Sequence, residues 1–206
     1  MGQGLEQMYW EANTPCRDEQ THPRSSDDLF SRVLVVEENA EPMVTICPAR
    51  LDDADAISAL VTESAKAFIT PHYSATGAAV LLEGMTAGET RVRMERGFRY
   101  IVAVDGDVIV GVGAMKENTH LYHLFVAATH QGQGIARRMW EDLRDHALAH
   151  GNTGRITVNS SRYAVPVYER FGFFKDGGIT EKNEITCQPM VWQTVPHETD
   201  VEDRQI

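Results

Sequence analysis

Leu124-Phe125-Val126-Ala127-Ala128-Thr129-His130-Gln131-Gly132-Gln133-Gly134-Ile135-Ala136-Arg137-Arg138 passes from an apolar strand through two glycines straight into a helix start. Glycine lets the backbone come close to a ligand and adopt positive φ, and the first N–H groups of a helix have no partner within it. Together they attract phosphate oxygens, so the segment reads as a pyrophosphate cradle. An ordinary tight strand-to-helix turn would use the same glycines. The segment is not a P-loop, because no Gly-Lys-Ser/Thr follows, and Gly132-Gln133-Gly134 lacks the spacing of a dinucleotide fingerprint.

Downstream, Ile135 to His150 predicts a helix with Ile135, Met139, Leu143 and Leu148 on one side and Gly151 at its C-cap. Arg155 to Asn159 follows as a strand, Arg162 to Arg170 as a short helix with Pro166 in its first turn, then Phe173-Phe174 and Ile185 to Val195 as strands around a polar turn at Gly177-Gly178. Upstream, His120 to Val126 is a strand, and Tyr100 to Val104, Asp105-Gly106-Asp107 and Val108 to Met115 form a hairpin, because Asp-Gly supplies positive φ angles for a primed turn. Before it come a strand at Met43 to Cys47 broken by Pro48, a helix carrying Ala54, Ile57, Leu60 and Val61, and a second helix over about 75–85. The order β α α β β β α β α β β predicts an α/β (α+β) fold, a mixed and mostly antiparallel central sheet flanked by helices.

The 206 residues suit one domain with tails: an N-terminal extension over 1–42 without sustained periodicity, in which Ser31 to Val36 could form a short strand, a domain over 43–195, and an acidic tail over 196–206. Residues 1–42 carry nine acids against three arginines and residues 196–206 four against one, so the net charge of −11 belongs mostly to the tails. No basic face invites nucleic acid, no apolar stretch approaches the roughly 20 residues of a membrane helix, and no secretory signal pattern opens the chain. The expected location is cytoplasmic. Cys16, Cys47 and Cys187 form no CxxC pair, so neither a disulfide framework nor a metal site is signalled.

A second informative stretch lies about 30 residues past the cradle, Val158-Asn159-Ser160-Ser161-Arg162-Tyr163-Ala164-Val165-Pro166-Val167-Tyr168-Glu169-Arg170-Phe171-Gly172-Phe173. Gln131, Gly134 and Ala136, spaced as Gln-x-x-Gly-x-Ala, and the Tyr-Glu-x-x-Gly-Phe run from Tyr168 together resemble the GNAT acyltransferases, over about residues 43–195. The resemblance implies an acyl-CoA N-acyltransferase fold in which strands 4 and 5, His120 to Val126 and Arg155 to Asn159, splay apart to admit the pantetheine arm of acetyl-CoA. Main-chain groups of Leu124, Phe125 and Val126 would pair with its amides as a peptide adds to a sheet edge. Gln131, Gly132, Gln133, Gly134, Ile135 and Ala136 would hold the pyrophosphate. Ser161 and Asn159 are the two polar candidates for a further cofactor contact.

The resemblance also implies transfer of an acetyl group to a primary amine in a ternary complex, with Tyr168 protonating the departing thiolate. An amine must shed a proton before attack, which suits histidine near neutrality. His120 stands where relatives carry Glu or His; His123 and water are the other candidates. Strand alternation puts His120 and Tyr122 on one face and His123 on the other. His130, Arg137 and Arg138 could add charge near the phosphates. No metal is implied, and many relatives form homodimers. A non-catalytic acyl-CoA-binding module would keep the cradle and acylate nothing. No motif in 67–96 or 176–184 names the amine, which a small molecule or a protein could supply.

Overall fold

The computed structural model describes residues 44–194; the expected N-terminal extension, its strand at Ser31 to Val36, the acidic tail and Cys16 lie outside them. Strand β1 (Thr45–Pro48) leads through a 3-10 turn into α1 (Ala54–Phe68), α2 (Ala75–Glu83) and α3 (Ala87–Glu95). Then come β2 (Arg99–Asp105), β3 (Val108–Lys116), β4 (His120–Val126), α4 (Ile135–Ala149), β5 (Arg155–Ser160), α5 (Val165–Arg170), β6 (Phe174–Lys175), β7 (Thr180–Lys182) and β8 (Ile185–Gln193). Among the described residues the strands run in the order β1-β2-β3-β4-β5-β8-β6, with β7 paired to β8. All pairs are antiparallel except β4–β5. This is the mixed, mostly antiparallel sheet expected.

Several local expectations need correction. Pro48 ends β1 from inside, paired with Ile101, because β1 is an edge strand where a missing N–H costs little. In the β2–β3 hairpin Asp105 stays in the strand opposite Val108, and only Gly106 takes positive φ, 57°. Helix α3 went unread because its polar sequence has no apolar stripe, yet Thr86 and Glu89 carry the spacing of a capping box, and Thr86 Oγ1 accepts the Glu89 N–H at 3.3 Å. Strand β7 is three residues long and turns back through Asn183 and Glu184, both at positive φ. On α4 the buried face runs Ile135, Met139, Leu143 and then Ala147 with Trp140, while Leu148 is only half-buried.

Helices cover both faces of the sheet, giving two apolar cores. Helices α4 and α5 bury one, with Met139, Trp140, Leu143, Leu121, Val158, Tyr168 and Phe173; helix α1 buries the other, with Ile57, Val61, Tyr100, Val102 and Val112. Gly113 in β3 lets α4 lie close, since a Cβ there would fall 2.9 Å from Leu143 Cδ1.

Two irregularities in β4 shape the centre of the sheet. Only His120↔Thr157 and Leu121↔Val158 pair β4 with β5, so the strands part after Leu121. On the other edge the register with β3 shifts between Ala114↔His123 and Met115↔Leu121, which leaves Tyr122 as a bulge. No helix among the described residues is long and apolar enough to cross a membrane.

Candidate active site

Where β5 leaves β4, a cavity of about 520 Å³ opens. Leu124, Phe125 and Val126 line it from β4; Gln131, Gly132, Gly134, Ile135 and Ala136 from the loop and the start of α4; Ser161 and Tyr168 from the segment after β5. Leu124, Phe125 and Val126 pair with β3 along one edge and have no β5 partner along the other. Such an edge is a template for an extended partner rich in amides.

The loop that closes the cavity is shaped by two left-handed glycines. Gly132 has φ 80° and Gly134, the N-cap of α4, has φ 78°; a Cβ at either would meet nothing within 4 Å, so the backbone angle rather than crowding requires glycine. No side chain caps α4, and its leading N–H groups are the orphans that anions satisfy. Gln131 fixes the loop's other end, donating from Nε2 to Val126 O at 3.1 Å. Arg137 and Arg170 line the cavity beside this helix start; Arg137 lies over the Phe171 ring at 5.3 Å and donates to Arg170 O. Arg138 turns away to donate to Val44 O, and His130, at the cavity's edge, lies 3.1 Å from Asp105 Oδ2.

Tyr168 sits on α5 with its ring edge-on to Phe171 and Phe173. It is buried, and desolvation pushes its phenol above the ordinary range, so the hydroxyl stays protonated and available as a donor at neutral pH. Ser161 Oγ accepts the Ala164 N–H at 3.3 Å, bracing the turn into α5. Sequence reasoning missed Phe68 and Tyr163, which stack across the mouth with centroids 5.1 Å apart and planes 12° apart. The pair joins the end of α1 to the β5–α5 turn, so only the folded topology could reveal it.

Besides Arg138, four expected residues lie outside the cavity lining. Gln133 is exposed, with Nε2 3.5 Å from Thr129 O, and Asn159 is exposed on β5. His120 is half-buried and its Nδ1 lies 2.8 Å from Thr157 Oγ1; burial first, and then Lys116, lower its pKa. His123 is buried against Tyr100, whose hydroxyl lies 3.4 Å from Nδ1, and desolvation with help from Arg93 lowers its pKa to about 3.

The bulge overturns the alternation expected from the sequence. Tyr122 and His123 share a face, with ring centroids 4.6 Å apart, Tyr122 against Phe98 and Arg93, and His123 against Tyr100. Leu121 and Val158 point into the core that holds Tyr168, so their paired predecessors His120 and Thr157 point to the opposite face. Tyr168 and His120 therefore stand on opposite sides of the sheet where β4 and β5 part.

Two segments distant in the sequence are strapped together. Tyr73, after α1, donates from its hydroxyl to Thr186 O at 2.7 Å, and Ser74 Oγ bonds Glu184 in the β7–β8 hairpin. Among the described residues no three metal-ligating side chains converge.

Comparison with known proteins agrees with this architecture. A GCN5-related N-acetyltransferase from Rhodopseudomonas palustris superimposes with a TM-score of 0.66 at 18% identity, covering 76% of this chain and 99% of that one. The PaiA N-acetyltransferase from Thermoplasma acidophilum, solved in complex with coenzyme A, gives 0.61 at 14% identity over 74% and 99%. Rat N-acetyltransferase 8B (Rattus norvegicus) is 33% identical over 94 residues, 40% of this chain, and the match spans only 42% of that relative's length. The acetyltransferase (GNAT) domain model matches residues 69–194, more than half of the sequence, and with the splayed β4–β5 pair it establishes that the chain belongs to the GNAT acetyltransferase family.

Proposed function

We propose that the protein transfers an acetyl group from acetyl-CoA to a primary amine by direct attack in a ternary complex. The observation that carries this reading is the open outer edge of Leu124 to Val126 running into the left-handed glycine turn and the uncapped start of α4. An amide-bearing arm ending in a pyrophosphate matches both parts, because the strand edge offers main-chain partners and the helix start offers N–H groups to the phosphates. Arg137 and Arg170 add positive charge there. Ser161 and, more distantly, Asn159 stand along the β5 side. When bound, acetyl-CoA supplies a thioester carbon open to attack.

His120 and Tyr168 divide the protons between the two faces of the sheet. His120 takes the amine's proton as the N–C bond forms, and Tyr168 gives its proton to the sulfur as the C–S bond breaks. The lowered pKa keeps His120 neutral, hence basic, at neutral pH, while the raised pKa keeps Tyr168 protonated. Strand N–H groups beside Leu124 polarise the carbonyl, a contribution commonly on the order of 3 kcal/mol per donor. The amine approaches from the face of the sheet that His120 occupies.

A panel of amines, from polyamines and amino acids to peptides with free N-termini, assayed for acetyl-CoA-dependent thiol release tests the proposal. Release that depends on a particular amine supports it. Acetyl-CoA binding without release for any amine would instead favour a non-catalytic acyl-CoA-binding module.

A further inference from the structure

The single hydrogen bond that the His120 ring makes to β5 bears on which nitrogen carries its proton. Nδ1 lies 2.8 Å from Thr157 Oγ1, and Thr157 Oγ1 lies 3.3 Å from Thr119 O, the carbonyl that also accepts the Thr157 N–H at 2.9 Å. A threonine hydroxyl has one proton to give and two lone pairs. Given to Thr119 O, that proton leaves the hydroxyl to accept from His120 Nδ1–H, and both contacts are hydrogen bonds. Given to His120 Nδ1, it leaves the Thr119 contact with no proton between its oxygens. The first arrangement alone also fits the imidazolium, in which both ring nitrogens donate. A proton can then arrive at or leave Nε2 without any rotation of the hydroxyl.

We propose that Thr157 holds neutral His120 in its Nδ1–H tautomer and so presents the Nε2 lone pair as the base, which makes Thr157 a positioning residue for acyl transfer. The proposal rests on the reading of His120 as the base. The register fixes the arrangement, since His120 and Thr157 are Cα partners in one of the two pairs that join β4 to β5. Both side chains sit at the fork of the sheet, on the face away from Tyr168. Burial and the Lys116 ammonium keep the ring neutral near pH 7, and its partner at Nδ1 is an uncharged hydroxyl, so the contact sets orientation without adding the basicity that a carboxylate would.

The test is a long-range proton–nitrogen correlation spectrum of the full chain labelled with 15N-histidine near pH 7.5, with His120 assigned by its loss in His120→Gln. The expected wild-type pattern is a protonated Nδ1 and an unprotonated Nε2. Thr157→Val should shift the population toward Nε2–H, and Thr157→Ser should restore the parental pattern. Turnover of Thr157→Val should fall about tenfold at unchanged KM for acetyl-CoA, the low end of what losing an orienting partner costs a metal-bound histidine, and Thr157→Ser should recover most of it. A wild-type spectrum with the proton on Nε2, or a Thr157→Val spectrum identical to the parent, overturns the proposal whatever the kinetics show. If the tautomer is as expected but His120→Gln turns over at the parental rate, the hydrogen-bond assignment is upheld and the base role of His120 falls.

Discussion

The two ends of β4 are built in different ways. At its C-terminal end one continuous run, Leu124 to Ala136, supplies the strand edge and the loop of the cavity, and the features that matter in that run belong to the backbone: an unpaired strand edge, two glycines at positive φ and an uncapped helix start. At its N-terminal end the chemistry belongs to side chains: His120 is bonded across the sheet to Thr157 of β5, 37 residues on, and lies beside Lys116, its partner in β3. The first end suits a ligand shared by a whole family, because main-chain groups are indifferent to side-chain identity. The second suits a ligand that differs from one relative to the next.

Substitutions that separate these two ends are the way to break the contrast. The largest effect belongs to the proton donor. Tyr168→Phe keeps the ring packed on Phe171 and Phe173 and removes only the hydroxyl, so turnover should drop by about 100- to 10,000-fold while acetyl-CoA affinity holds. Full turnover on a good amine would end the acid assignment. Next comes the backbone of the cradle. Gly134→Asp forces a side chain into a left-handed angle that costs roughly 1–2 kcal/mol, and sets a carboxylate against the incoming phosphates. The strain is borne by the free and the bound protein alike, so it is the carboxylate's repulsion and exclusion of the phosphates that should lower acetyl-CoA affinity by about 100-fold in calorimetry, roughly 2.8 kcal/mol at tenfold per 1.4 kcal/mol; unchanged affinity would move the pyrophosphate elsewhere.

A smaller and conditional effect is expected at the other end. The pKa of His120 is lowered, so the basic form persists to more acidic solution than an ordinary histidine allows. His120→Gln should therefore cost about tenfold near pH 6.5 and progressively less toward pH 9, where free amine is already abundant. A pH profile parallel to the parent's would return the base role to water. The smallest effect should come from removal of residues 1–42, which we take as an extension of a catalytic domain over 43–195, with 196–206 as a tail: acetyl-CoA affinity and melting temperature should stay unchanged. Loss of binding on truncation would make the extension part of the fold.

The same contrast explains how much could be read before folding. The gathering of Gln131, Gly134, Ala136 and Tyr168 around one cavity was legible because each belongs to a local motif whose spacing survives in the sequence. The order of strands and the amphipathic faces of α1 and α4 were legible for the same reason, being periodicities over a few turns. The bulge at Tyr122 was not, since it depends on how β3 and β4 register, and it placed His123 on the Tyr122 face against simple alternation. The Phe68–Tyr163 stack and the His120–Thr157 bond join residues that no periodicity relates. Helix α3 lacked an apolar stripe and was marked only by the Thr86–Glu89 cap, and β7 is too short to show a period.

The central claim is that acetyl-CoA adds to the open edge of β4 and caps the start of α4. Amide hydrogen exchange on the full chain, with and without acetyl-CoA, tests it most directly. Slowed exchange is expected at Leu124 to Val126 and from Gly132 to Arg137, with little change in Tyr73 to Glu83 or Thr180 to Cys187 until an amine substrate is added. Protection confined to those last two segments, with β4 and the start of α4 unaffected, would contradict it.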